Sequence, residues 1–202
     1  EVSCFYEINY QDVTPPQPVC DLFSVVSVGA NGCTKAGPQS FNDFSHDNCS
    51  DELTFGVQRM DDFNANGENF GDFVEFCCDD VKFTVVDGEN VAVPVMVILN
   101  VTDEEGNSSS CMVEVTVKDP ISPNLTDCPS STTVDCEDTR LGNLASFGAP
   151  SNTDNCGATL TKLPDVIDLD ECGVGTIVRS WTLVDASGNA GQSCTQTIRV
   201  TN

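Results

Sequence analysis

Ser110–Asp119 reads SCMVEVTVKD, and the chain returns to the same phrase as SCTQTIRVTN at Ser193–Asn202; a third version, SCFYEINYQD, occupies Ser3–Asp12. In each, a cysteine leads residues of alternating polarity, the period-two pattern of a strand with one buried face. Similarity extends outward from these phrases. Asp103-Glu104-Glu105-Gly106-Asn107 and Asp185-Ala186-Ser187-Gly188-Asn189 are equivalent turns, each preceded by a β-branched run and followed by the cysteine-led strand. Asp47-Asn48-Cys49 matches Asp154-Asn155-Cys156, and proline-bearing stretches lead to Cys20 and Cys128. The intervals Cys4 to Cys20 and Cys111 to Cys128 are nearly equal. A repeat of this kind predicts an all-β chain of two tandem sandwich modules, 13–119 and 120–202, with an additional strand at 1–12. The first module is the longer, and its extra residues fall in an acidic loop at 58–76.

The chain has 202 residues, with 32 Asp and Glu against 8 Lys and Arg, a net charge of −24. Such a charge repels a phosphate backbone and an anionic lipid surface, so nucleic acid and membrane are poor partners. Carboxylates at this density either keep an exposed protein soluble or collect hard cations such as calcium. The longest apolar run, VAVPVMVIL at 91–99, is too short to span a bilayer, and no signal peptide is visible, as expected of a mature product or of a segment of something longer. Twelve cysteines, none in CxxC spacing, point to a disulfide framework and an oxidising, extracellular setting. Asn48, Asn100, Asn107 and Asn124 lie in glycosylation triplets compatible with that setting.

With Asp154-Asn155-Cys156, a further cysteine, and then RSWTLVDASGNAGQSCTQTIRV up to Val200, the second module resembles the hyalin-repeat immunoglobulin-type modules of large secreted bacterial adhesins and animal extracellular proteins. In the first module the resemblance holds at Asp47–Cys49 and Val95–Asp119. It implies disulfide-stapled immunoglobulin-like sandwiches used for adhesion or spacing at cell surfaces, without a catalytic centre. Where many bacterial members carry a cysteine, this chain has Ser187, so the family's disulfide pairing does not transfer whole.

Equivalence of the modules sets Cys20, Cys33, Cys49, Cys77 or Cys78, and Cys111 against Cys128, Cys136, Cys156, Cys172 and Cys194. The most economical pairs within modules are Cys156 with Cys172 and Cys49 with Cys77 or Cys78, leaving Cys194 and Cys111 to meet Cys136 and Cys33. Other pairings stay open. Cys4 has no module of its own.

Two calcium readings arise. DDFNANGENFGDF holds Asp62, Asn64, Asn66 and Gly67, the opening of an EF-hand loop, but Phe73 stands where the bidentate glutamate belongs, so Glu68 or Asp72 would have to supply charge; the bland reading is a solvated insertion. Asp103 with Asn107 and Asp185 with Asn189 read first as turn formers. The sharper reading adds a cation near the module junction, with Asp119 and Asp47 or Asp154 as neighbours. His46 is the single histidine, which leaves both a Ser/His/Asp triad and a zinc site without support. Trp181 reads as core rather than as a sugar platform.

Cys4, Tyr6, Ile8 and Tyr10 alternate with mostly polar residues, and a lone strand of that pattern needs a sheet edge. It belongs to a preceding module of a longer array, docks on another copy by strand addition, or folds back on the first module with Cys4 paired internally. The functional expectation is an extracellular structural or adhesive unit of a fibril or long adhesin, linked to other copies or neighbouring repeats by strands and disulfides. The alternative is a calcium-dependent module that binds glycans or protein.

Overall fold

The computed structural model describes Cys4, residues 6–62 and residues 70–202. Among the described residues it is all-β: fifteen strands joined by turns and five short 3-10 segments. Asn64, Asn66 and Glu68, and the side chain of Asp62, lie outside the described residues, so the EF-hand-like reading finds no test there. Among the described residues no helix is long and apolar enough to cross a membrane. The chain divides into two compact units, one of residues 1–26 with 33–117 and the other of 27–32 with 118–202.

In the first unit the main sheet has the order β1 (Phe23–Ser27), β8 (Ser108–Lys118), β7 (Val95–Thr102), β3 (Thr54–Arg59). A second, two-stranded sheet pairs β2 (Cys33–Ala36) with β4 (Val74–Cys77), and β5 (Phe83–Val86) with β6 (Glu89–Ala92) forms a separate hairpin. Alternation along β7 decides which face is covered: Val97, Leu99 and Val101 are fully buried, whereas Met96, Ile98 and Asn100 between them are only half-buried. Val57, Val113 and Val115 share the dry side, and Phe41, Phe76, Val74 and Ala36 fill the remainder of the core. Each such side chain contributes about 1.5–3 kcal/mol by leaving water.

In the second unit β10 (Thr132–Asp135), β15 (Cys194–Thr201), β14 (Gly175–Asp185) and β12 (Ala158–Lys162) form the main sheet, with β13 (Val166–Leu169) also on β14. A short pair of β9 (Asn124–Thr126) and β11 (Ser151–Thr153) completes it. Val134, Ile177, Ile198 and Val200 make a core cluster against which Leu141, Leu144, Phe147 and Leu169 pack. Trp181, 2% exposed, belongs to this interior and offers no sugar platform.

Three expectations are corrected. First, residues 6–12 belong to no strand, and Tyr6, Ile8 and Tyr10 are 87%, 81% and 95% exposed. Among the described residues this segment meets no sheet edge, and Cys4 is a free thiol, so the alternative that is corrected is the fold-back on the first module with Cys4 paired internally. Second, the disulfides join Cys20 to Cys111, Cys33 to Cys77 and Cys128 to Cys194, with Cys78 and Cys156 oxidised as well. Cys49, Cys136 and Cys172 are thiols, so the economical pairs Cys49 with Cys77 or Cys78, Cys156 with Cys172, Cys194 with Cys136, and Cys111 with Cys33 do not form.

The cause is a ladder that links the two ends of each repeat. β10 runs parallel to β15, pairing Thr132 with Ile198 and Asp135 with Thr201. Beside β8, Glu114 N–H donates to Leu22 O at 3.1 Å and Val28 N–H to Lys118 O at 2.9 Å, the same parallel advance. First and last strands lying side by side bring the cysteine ahead of one to the cysteine that leads the other. Cys33 then meets Cys77 because they are direct partners in the β2–β4 ladder. Third, the longer first repeat contains a second insertion besides the acidic loop. Cys77 to Cys111 also exceeds Cys172 to Cys194, and the surplus is the β5–β6 hairpin, whose Val85, Val86 and Val91 are exposed.

Candidate metal centres

Both Asp-Gly-Asn turns are built by the same hydrogen bonds. After β14 the carboxylate of Asp185 accepts from Asn189 N–H at Oδ1 (2.8 Å) and from Asn189 Nδ2 at Oδ2 (2.7 Å), and Gly188 takes a φ of 88° that a side chain would strain. After β7, Asp103 accepts from Asn107 N–H (2.7 Å) and Nδ2 (2.8 Å), with Gly106 at 90°. The turn reading thus describes what both asparagines do: they donate, and the aspartates accept.

The turns also present their carboxylates to other acids, one cluster within each unit. In the second unit oxygens of Asp119, Asp154 and Asp185 lie within 4.8 Å of one another. Asp119 follows β8 directly and is 4% exposed; its Oδ1 accepts from Ile121 N–H (3.0 Å) and Asn155 Nδ2 (3.0 Å), and its carbonyl from Asn189 Nδ2 (2.8 Å). Cys156 N–H occupies Asp154 Oδ2 (3.0 Å). What is left is Asp119 Oδ2 and Asp154 Oδ1, both buried without a hydrogen-bond partner. A buried carboxylate oxygen facing two further carboxylates, with no donor, costs several kcal/mol unless a cation compensates it.

The first unit repeats the arrangement with Asp12, Asp103 and Glu105. Asn107 Nδ2 reaches Asp12 O at 3.3 Å, as Asn189 reaches Asp119. Asp47 stands where Asp154 does; its Oδ2 accepts from the N–H groups of Cys49 (2.8 Å) and Ser50 (2.9 Å), and these bonds, Cys49 first, hold its carboxyl below the usual range. This cluster is the more open: Glu105 is exposed, Asp12 is half-buried and Ser50 Oγ donates to Glu105 Oε2 at 3.3 Å. Among the described residues the ion pairs, Arg59 with Asp61 and Asp80 chief among them, lie outside both clusters.

Asp72 of the acidic loop is exposed and joins neither cluster. Sequence reading named Asp103, Asn107, Asp185 and Asn189 as ligands with Asp119, Asp47 and Asp154 as neighbours. In the structure Asp119, Asp154 and Asp185 converge, Asp103 joins Asp12 and Glu105 while Asp47 belongs to neither group, and the two asparagines buttress Asp103 and Asp185. Asp12 and Glu105 were missed; the signal for Asp12 is its place as the last residue of the repeated phrase, where Asp119 also stands. The His46 ring meets the Phe44 carbonyl, at 3.4 Å from Nδ1, and its backbone pairs with Gln17. Of the glycosylation triplets, Asn48 and Asn124 are exposed, Asn100 donates to Thr102 Oγ1 at 3.1 Å, and Asn107 is committed to its turn.

No protein-family model and no curated protein matches the chain. Solved structures similar to it include Drosophila N-cadherin EC1-4 (11% identity, TM-score 0.38, 94% of this chain against 50% of that one). Others are the N-terminal four Ig domains of Dscam1 isoform 9.44 (11%, TM-score 0.37, 94% against 46%) and human CDH23 EC21-23 (13%, TM-score 0.36, 93% against 70%). The chain spans about half the length of the first two.

Proposed function

We propose that this chain is a non-catalytic extracellular unit of a linear adhesive or structural assembly, joined to other copies or to neighbouring repeats through residues 4–12. The observation that carries the reading is that segment. Its sequence is that of β8 and β15, the strands that lead out of each repeat; it carries Tyr6, Ile8 and Tyr10 exposed, and it has no ladder of its own. Exposed alternating apolar residues beside free backbone groups are what strand addition uses. A head-to-tail contact of this kind does not close, and so generates a filament. Cys4, an exposed thiol at the start of the segment, supports covalent locking after docking: its thiolate attacks a disulfide of the docked copy, forms the new sulfur–sulfur bond and releases the other cysteine of that disulfide as a thiol. The disulfide framework supports an oxidising, extracellular location. Calcium is the cofactor of this reading, because the clusters offer oxygen ligands alone and leave buried acceptors without donors.

The test is the mass of the native protein by light scattering together with a non-reducing map of the partner of Cys4. Covalent oligomers that fall to single chains on reduction, and shrink in a Tyr6→Ser/Ile8→Ser/Tyr10→Ser variant, are expected. A monodisperse monomer with Cys4 free would end the assembly reading.

A further inference from the structure

The two acidic clusters are alike in sequence, and burial separates them: Asp119 and Asp185 are both buried in the second, whereas in the first only Asp103 is, with Asp12 half-buried and Glu105 exposed. We infer that the chain holds one tightly bound calcium ion, between Asp119, Asp154 and Asp185. The inference rests on the cation reading above and goes beyond it in fixing the ligands, the stoichiometry and the order of filling.

Asp119 is the deciding residue. With 4% of its surface exposed it has already given up hydration, and three donors fix it on Oδ1 and its carbonyl while Oδ2 is left without a donor. Asp185 is 7% exposed and held rigid by Asn189. Oxygens within 4.8 Å of one another match an ion that each approaches to about 2.3–2.6 Å. Magnesium demands closer, near-octahedral ligands and keeps most of its water, so an irregular nest of carboxylates selects against it. Asn189 is not a ligand here. It donates to Asp185 and to Asp119 O, and so sets the spacing the ion needs.

The first cluster meets these conditions less well. It too leaves buried carboxylate oxygens without donors, on Asp12 and Asp47, and Asn107 holds Asp103 as Asn189 holds Asp185, but Asp12 is only half-buried, and Glu105 is exposed and accepts from Ser50. An ion there would stay hydrated and exchange readily.

Terbium, a luminescent stand-in for calcium, tests this. Trp181 is the single tryptophan and lies on β14 four residues before Asp185, about 13 Å along the strand. Tryptophan excitation therefore reports the second cluster. One equivalent of terbium should light up, calcium should displace it and magnesium at equal concentration should not. Asp119→Asn should weaken the signal's midpoint at least about tenfold, a loss of about 1.4 kcal/mol, while Asp103→Asn leaves it unchanged. Near-UV dichroism checks that each variant is folded; if Asp119→Asn is not, the less buried Asp154→Asn takes its place with the same expectation. Absence of tryptophan-sensitised emission from folded protein overturns the inference, and so does equal weakening by Asp103→Asn, or none by the Asp119 or Asp154 variant. A monomer that shows the signal upholds this centre and sinks the assembly, so the two readings fail separately.

Discussion

Val97 and Val113 face each other at the centre of the first sandwich, direct partners in the β7–β8 ladder and both fully buried. At the same two places of the second sandwich, in the β14–β15 ladder, stand Arg179 and Gln196, each 2% exposed. One fold therefore tolerates two opposite centres. The apolar pair needs nothing from its surroundings. The polar pair survives through a network that leaves only Arg179 Nε without an acceptor among its described contacts: Arg179 Nη1 donates to Gln196 Oε1 (2.7 Å) and Gly148 O (3.0 Å), and Gln196 Nε2 donates to Ser130 O (3.0 Å) and Phe147 O (3.1 Å). Trp181 stacks beside the guanidinium at 4.7 Å. The difference teaches that the second core is specified by hydrogen bonds to its loops, whereas the first is specified by volume.

Gln196→Val breaks that comparison most sharply. It leaves a buried guanidinium without one of its two acceptors and two carbonyls without donors, and should destabilise the second unit by about 3–5 kcal/mol. Trp181 fluorescence in a denaturant titration reads this unit. Adding Arg179→Val imports the first unit's pair, and the double variant should recover to within about 2 kcal/mol of the parent, so that the two changes couple strongly. Next in size, replacing Cys128 and Cys194 together by alanine should cost about 2–4 kcal/mol. Removing Cys20 and Cys111 instead should leave the Trp181 transition where it was, a contrast that measures how independent the units are.

The smallest effect separates the units by pH. Arg59 in the first unit clamps Asp61 and Asp80, and its guanidinium, ahead of the Cys77 N–H, holds the Asp80 carboxyl below the ordinary range. A depressed folded pKa means that this contribution is complete above the unfolded value of about 3.9 and is lost as pH falls through the folded one. The Cys77 amide proton shift should follow that titration by NMR, with a midpoint below about 3.9. Asp80→Asn should abolish it.

Fold class was legible because the repeated strand phrase carries period-two polarity and recurs with its turn. The disulfides were not, because they depend on a parallel ladder between the first and last strands of each repeat, a contact that local spacing does not encode. Counting loop length favoured Cys156 with Cys172, whereas setting Cys20 against Cys128 and Cys111 against Cys194 already held the symmetric answer. The network at Arg179 was readable in part: in TIVRSWTLVD the arginine shares its face with Ile177, Trp181 and Leu183. Its acceptors on the loops at Ser130 and Phe147–Gly148 were not, since they arrive from distant sequence. For the acidic clusters, residue types and turns were visible, while the orphaned oxygen of Asp119 emerges only once burial is known.

The bridges between first and last strands also set how each repeat would carry load. Tension entering ahead of Cys20 crosses its sulfur bond to Cys111 and leaves along the following residues, so the chain between those cysteines, a separation of 91 in sequence, stays slack. Cys128 and Cys194 shield the second repeat in the same way over a separation of 66. Pulled by its ends, such a chain would lengthen only by the short connectors, whether or not its sandwiches remain folded. A rope of these units would have its stiffness written in covalent bonds and its contour length fixed before any strand had to hold.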